Sequence, residues 1–250
     1  MKRNILLSTL AAGMSIGSVI QAQSLSDWQF QVTPYAWLSG LEGTLGTFSN
    51  APPVDVDISF SDILDDLDFG GMVMASARNG PWVVYLDATH VEVSTTERLG
   101  GVVFDSARVD STTTNLALAV GRTVYQTTQA SVDVYGGARA WWLDNSFRLN
   151  AVGGGASRVR EKEDWISPLI GAAGYYTVSD KWRLFGTLDL GGFGIGADSE
   201  WSLLAGATYN INDRFAVSLG WRHLDVDYDS NGILYDVRQS GPVLGGTFRF

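Results

Sequence analysis

From Trp28 to the last residue the chain alternates between apolar residues and small or polar ones, and this period of two constrains its fold more than any other feature. In 130–142, Ala130, Val132, Val134, Gly136, Ala138, Ala140 and Trp142 share one face, while Ser131, Asp133, Tyr135, Gly137 and Arg139 take the other. Trp201, Leu203, Ala205, Ala207 and Tyr209 oppose Ser202, Gly206, Thr208 and Asn210 in the same way, with Leu204 the exception. Successive side chains of an extended chain leave on opposite sides, so these are strands with one apolar face. Turn residues divide the pattern into about ten, at 27–40, 69–78, 81–95, 108–125, 130–146, 164–178, 181–194, 200–211, 214–228 and 234–250.

The connections are unequal. Tight breaks at Asn79-Gly80, Gln126 to Gln129, Ser179-Asp180 and Asn212-Asp213 alternate with longer ones at 41–68, 96–107, 147–163, 195–199 and 229–233. Short turns at one end and longer loops at the other are the asymmetry of an antiparallel transmembrane β-barrel. The expected fold is therefore all-β, a barrel of about 10 strands with 8 or 12 as alternatives. Aromatic residues fall where such a barrel meets the two membrane interfaces. Trp28, Trp82, Tyr125, Tyr176, Trp182, Tyr209, Phe215 and Phe250 mark the short-turn ends, and Trp37, Phe69, Trp142, Trp165, Phe193, Trp201 and Trp221 the opposite ends.

A secreted soluble barrel would also alternate, with its apolar face inward and long charged side chains outside. This chain has only three lysines, Lys2, Lys162 and Lys181, and its polar faces are Gly, Ser, Thr and Asn. Those residues suit a narrow lumen better than a solvated exterior. No stretch after the N-terminus reads as a membrane helix.

The N-terminus carries Lys2 and Arg3, an apolar run from Ile5 to Ile20, and Gln21-Ala22 with a small residue at the cleavage position, which reads 1–22 as a removed secretory signal and 23–250 as one barrel domain. A retained anchor is the alternative, but the run is interrupted by Ser, Thr and Gly and lies at the short end of the roughly 20 residues a spanning helix needs. Losing the two basic residues would take the net charge from −10 to −12. Such an acidic chain without a basic cluster is a poor partner for nucleic acid. There are no cysteines, which excludes disulfides, thiolate metal sites and cysteine nucleophiles.

The chain ends Gly246-Thr247-Phe248-Arg249-Phe250, and this terminal Phe with Phe248 two before it resembles the assembly signal of bacterial outer-membrane barrels. The stretches Thr33-Pro34-Tyr35-Ala36-Trp37-Leu38-Ser39-Gly40-Leu41-Glu42-Gly43-Thr44 and Val54-Asp55-Val56-Asp57-Ile58-Ser59-Phe60-Ser61-Asp62-Ile63-Leu64-Asp65-Asp66-Leu67-Asp68-Phe69 resemble a largely uncharacterised family of Gram-negative outer-membrane proteins. The resemblance implies an outer-membrane location, lipid and lipopolysaccharide as surroundings, and handling by the barrel assembly machinery through the C-terminal strand. It carries no activity that transfers to particular residues.

Parity places Asp87, Asp133, Arg139, Asp189 and Arg222 in the lumen, because a charge facing lipid at mid-bilayer costs about 2–4 kcal/mol. They can pair into a packed polar core or line a path for a small solute or ion. His90 and His223, near the long-loop ends, are the only histidines, and parity turns both outward with Trp82, Val84 and Leu86 and with Phe215, Val217 and Leu219. That opposes a shared general-base site for a surface enzyme acting on lipid A or peptides. No cofactor is expected. Asp227-x-Asp229-x-Asn231-Gly232 begins like a calcium loop, but Arg238 stands where the twelfth position needs a carboxylate and the flanks are strands, so it reads as a hairpin tip and no metal site is expected; weak divalent binding by Asp225, Asp227 and Asp229 is left open. Gly153–Gly155 and Gly191–Gly196 are barrel and loop glycines, since neither belongs to a phosphate-binding motif. In 54–68, a short strand over Val54–Ile58 and a helical turn capped by Ser61 carry Ile63, Leu64 and Leu67, which predicts a lid on the barrel mouth or in its lumen.

Overall fold

In a computed structural model, which describes residues 28–46, 52–99, 101 and 103–250, the chain is a twelve-stranded antiparallel sheet. The expected signal segment lies outside the described residues. In chain order the elements are β1 Gln29–Trp37, β2 Gly40–Gly46, β3 Val54–Ile58, α1 Phe60–Asp65, β4 Leu67–Asn79, β5 Trp82–Arg98, β6 Phe104–Gln126, β7 Ala130–Ala151, β8 Ala156–Thr177, β9 Trp182–Ile195, β10 Ala197–Asn210, β11 Phe215–Ser230 and β12 Ile233–Arg249. Each strand from β4 to β12 pairs with the next, β1 pairs with β4, and β1 pairs with β12 through Gln31↔Arg249 to Trp37↔Val243, so ten strands close into a barrel. Closure leaves that ring no free edge.

The outer face decides what surrounds the barrel. Leu118, Val120, Ile166, Ile170, Leu219 and Leu244 point outward and are 52 to 63% exposed, while Ala117, Ala119, Ser167, Leu169 and Val243 between them point in and are buried. An apolar band continuous around a closed barrel needs hydrocarbon outside, which makes this a transmembrane β-barrel. Trp82, Tyr125, Tyr176 and Trp182 sit exposed at its short-turn end, and Phe69, Trp142, Phe193, Trp201 and Trp221 at the other. Trp37 and Trp165, expected in that second girdle, are instead buried in the lumen. Each keeps the parity of an inward neighbour, Tyr35 for Trp37 and Ser167 for Trp165, because nothing at these positions breaks the two-residue period.

The connections expected to be long loops are largely strand. β6, β7 and β8 run 23, 22 and 22 residues, about twice a tilted membrane crossing, so 104–107 and most of 147–163 pair as hairpins rising past the girdle. β9 and β10 reverse through Gly196 alone, where a Cβ would collide with the Ile166 carbonyl oxygen. The β11–β12 turn is Asn231-Gly232 with φ of 55° and 78°, the two positive angles of the tightest hairpin.

Residues 41–46, also expected in a loop, form β2, which continues β1 along β12 from Gly40↔Ser240 to Gly46↔Leu234. β3 folds back onto β2, extending the wall beyond the closed ring. Ser59, not Ser61, caps α1: its Oγ accepts the Asp62 amide at 3.3 Å while Asp62 Oδ2 accepts the Ser59 amide at 3.2 Å, a capping box that Ser61 has no partner to make. The segment is no lid. Val54, Leu64, Leu67 and Phe69 stay 37 to 59% exposed, because pairing with β2 holds this stretch in the plane of the wall.

Candidate functional site

The lumen is layered. At the long-strand end it is filled by rings: Trp165 stacks on Tyr228 with centroids 4.0 Å apart and on Trp141 at 5.6 Å, and Tyr235 tilts against both indoles at 5.9 Å. Trp141↔Trp165 and Tyr228↔Tyr235 are direct cross-strand pairs, so two strand pairs facing each other across the barrel build the stack. Leu143, Leu224, Val226, Ile233 and Val237 pack around it. The β9–β10 reversal closes over the same region, with Ala197 fully buried and its amide donating to Ser167 Oγ at 3.0 Å.

Beneath the rings lies an ionic layer. Arg222, 2% exposed, donates from Nη2 to Asp87 Oδ2 at 2.6 Å and from Nη1 to the Tyr35 hydroxyl at 2.7 Å, with its guanidinium 4.8 Å from the centroid of Trp37. Tyr35 in turn donates to Asp87 Oδ1 at 2.8 Å. Arg139, 1% exposed, faces Asp189 at 3.4 Å and Glu200 at 3.5 Å; Tyr135 donates to Asp189, and Trp141 Nε1 donates to Glu200 at 3.2 Å, tying this layer to the rings above. A third cluster lies nearer the short turns, where Asp133 accepts from Arg78 and Tyr85 at 2.5 Å and from Thr123 at 2.7 Å.

Asp87, Asp133, Arg139, Asp189 and Arg222 thus all face the lumen, divided among three clusters. The sequence reading missed Glu200, Arg78 and the three tyrosines. Glu200 carries the inward parity of Ser202 and Leu204, a signal that was present; Arg78 ends a strand, where a charge looks interfacial. Two of the tyrosines reach over small residues to carboxylates two strands away: Tyr85 on β5 passes Ala119 on β6 to reach Asp133 on β7, and Tyr135 on β7 passes Gly171 on β8 to reach Asp189 on β9. A Cβ on Gly171 would stand 2.5 Å from the Tyr135 ring, which explains why the lumen face needs small residues.

From the ionic layer to the short-turn rim the lumen is a cavity of about 1580 Å³, reaching Asn79, Gly80, Asp180 and Asn212. Trp141, Trp165, Tyr228 and Tyr235 do not line it. Its lining ends at the ionic layer, below the ring stack.

The histidines lie elsewhere. His90 faces outward beside Phe69, its Nδ1 2.6 Å from Thr114 Oγ1 and its Nε2 3.1 Å from Glu92, while His223 packs on Trp201 at 4.5 Å on the far strand β11. Among the described residues no group of three or more His, Asp or Glu is arranged to hold a metal ion. Above the outer girdle, Asp225 pairs with Arg238 at 3.1 Å, and Asp227 stands opposite Asp236. Burial, then Asp236, Asp198, Asp225 and Asp229, raise the Asp227 carboxyl above its ordinary range. Asp144 is the reverse case, held down to about 2 chiefly by its hydrogen bond from Arg160, which outweighs the cost of burial, with Lys162 2.7 Å away. Phe248 and Phe250 are exposed at the short-turn end of the last strand, at the rim of the cavity.

No protein-family model matches the sequence, and neither does any curated protein. Among solved structures, the chain is similar to the translocator domain of the autotransporter NalP from Neisseria meningitidis, at 12% identity over 89% of this chain and 88% of that one, with a TM-score of 0.44. It is similar also to Ail, the attachment invasion locus protein of Yersinia pestis, at 12% identity over 90% and 100% of the two chains, TM-score 0.36. Neisserial surface protein A follows at 13% identity over 90% and 98%, TM-score 0.32. At these scores the likeness adds nothing to what the strand pairing establishes.

Proposed function

We propose that this is an outer-membrane barrel of the Gram-negative envelope that presents its long hairpins at the cell surface and keeps its lumen shut toward the outside. The observation that carries this reading is the ring stack of Trp141, Trp165, Tyr228 and Tyr235 sitting on the buried Arg139 and Arg222 layer. A hydrated ion crossing it would have to displace packed indoles and disturb the ion pairs of two buried arginines, each a cost of several kcal/mol. Short turns then face the periplasm, and β6–β7–β8 rise from the membrane among lipopolysaccharide, consistent with their length. The barrel assembly machinery would take up β12 through its terminal Phe248 and Phe250. No catalytic role is assigned: the outward His90 and His223 stand on separate strands with no shared carboxylate.

A pore is the second reading, and the cavity favours it: half of the path is already open. Single-channel recording of the refolded protein separates the two. The closed barrel is silent, and Trp141→Ala/Trp165→Ala/Tyr228→Ala turns it into a conducting one. Steady conductance of the unaltered protein, changed by Arg139→Gln or Arg222→Gln, would establish the pore instead.

A further inference from the structure

Three of the arginines that line the cavity have a carboxylate: Arg78 has Asp133, Arg222 has Asp87, and Arg139 has Asp189 and Glu200. Among the described residues Arg183, Arg214 and Arg249 do not, and of these Arg214 is exposed in the turn at the rim. Arg183 on β9 and Arg249 on β12 both line the cavity near its short-turn mouth, half-buried, and among the described residues no carboxylate comes within 4.0 Å of either guanidinium. Arg183 lies 4.5 Å from the centroid of Tyr175, and its buried Nε has no acceptor. Arg249 donates from Nη2 to Asn210 Oδ1 at 2.8 Å, a neutral partner. The two cations act on each other, offset in part by Asp213 in the turn below.

The surroundings supply further donors. Thr208 and Ser218 share a hydroxyl hydrogen bond at 2.8 Å, and Thr33 and Thr247 another at 2.9 Å; Thr208 stands opposite both Arg183 and Ser218 in register. Like-charged guanidiniums held on one wall repel, and a compact anion between them turns that repulsion into two charge-assisted hydrogen-bonding forks. The barrel wall separates this patch from lipid, so its ligand is a soluble one. We propose that Arg183 and Arg249 form a binding site for a small carboxylate- or phosphate-bearing solute entering the lumen from its short-turn side. This goes beyond the closed-barrel reading and does not depend on it, since a conducting lumen would keep the same two arginines.

The test uses the full chain refolded in nanodiscs of neutral lipid, titrated calorimetrically with pyrophosphate and with succinate at low ionic strength. Arg183→Gln and Arg249→Gln are each expected to raise Kd about tenfold or more, the loss of one charged hydrogen-bonding group. The double variant loses binding, and Arg122→Gln, an exposed charge over Trp82 that does not line the cavity, leaves Kd within about twofold. Pyrophosphate also raises the melting temperature of the unaltered protein above that in sodium chloride of equal ionic strength, a readout that needs no variant. Should the Gln variants not fold, Arg183→Lys keeps the charge without the fork and is expected to weaken succinate. No melting shift with either anion, or a double variant that binds like the unaltered protein, overturns the proposal.

Discussion

Arg222 and Asp87 provide the sharpest test of how the lumen is held together. Arg222→Met removes a guanidinium that is 2% exposed, and leaves Asp87 with only the Tyr35 hydroxyl from its former partners. Breaking one side of a buried pair costs about 3–5 kcal/mol; because the Asp87 side chain keeps 18% exposure, some solvation remains and the lower end, about 3 kcal/mol, is expected. Asp87→Leu strands the cation in turn, leaving it Tyr35 and the Trp37 ring, for a similar loss. The double variant strands neither charge, so it is expected within about 1 kcal/mol of the unaltered protein. The singles therefore sum to about 6 kcal/mol against about 1 for the pair, a coupling far beyond the roughly 0.5 kcal/mol scatter of independent sites. Urea unfolding from lipid vesicles, followed by tryptophan fluorescence, measures all four corners of the cycle. Additive losses would refute the view that the pair, and not each charge with its own surroundings, is the unit of stability.

Other expectations follow from neighbouring contacts. Gly171→Ala forces the Tyr135 ring off its path to Asp189 and is expected to cost about 1–3 kcal/mol in the same assay, and adding Tyr135→Phe to that variant gives no further loss. Because the folded-state Asp227 carboxyl is raised by burial and by Asp236, the folded protein holds that proton more tightly than the unfolded chain, so stability declines as pH rises through the raised value. Asp227→Asn should accordingly raise the melting temperature at pH 7 and lose that advantage below about pH 4. Asp144 has the opposite sign: with its carboxyl held down to about 2, the support it gives the β7–β8 hairpin is full above about pH 4 and disappears as pH falls through 2, visible as lost amide protection in 144–162 after correction for intrinsic exchange. A flat protection profile across that range would remove the Arg160–Asp144 contact from the account.

Period two, the turn residues and the cost of a charge in lipid were enough to read the barrel, its ten wall strands and the inward facing of Asp87, Asp133, Arg139, Asp189 and Arg222, because each depends only on a residue and its immediate neighbours in the chain. Asn231-Gly232 was legible for the same reason, since positive φ is a property of the residues themselves. Partnership was not. Whether Trp165 faces lipid or lumen follows from the phase of its own strand, but that it meets Tyr228 from β11 depends on how far the barrel wraps before closing. Residues 147–163 look like a loop until Asp144 finds Arg160 and Lys162 across a hairpin, and Val54–Ile58 looks like a lid until β2 offers it an edge. The cavity, and the placing of Arg183 and Arg249 without carboxylates near its mouth, are also set by distances between strands remote in sequence. Local alternation determines which way a side chain points, and only closure of the sheet determines what it meets there.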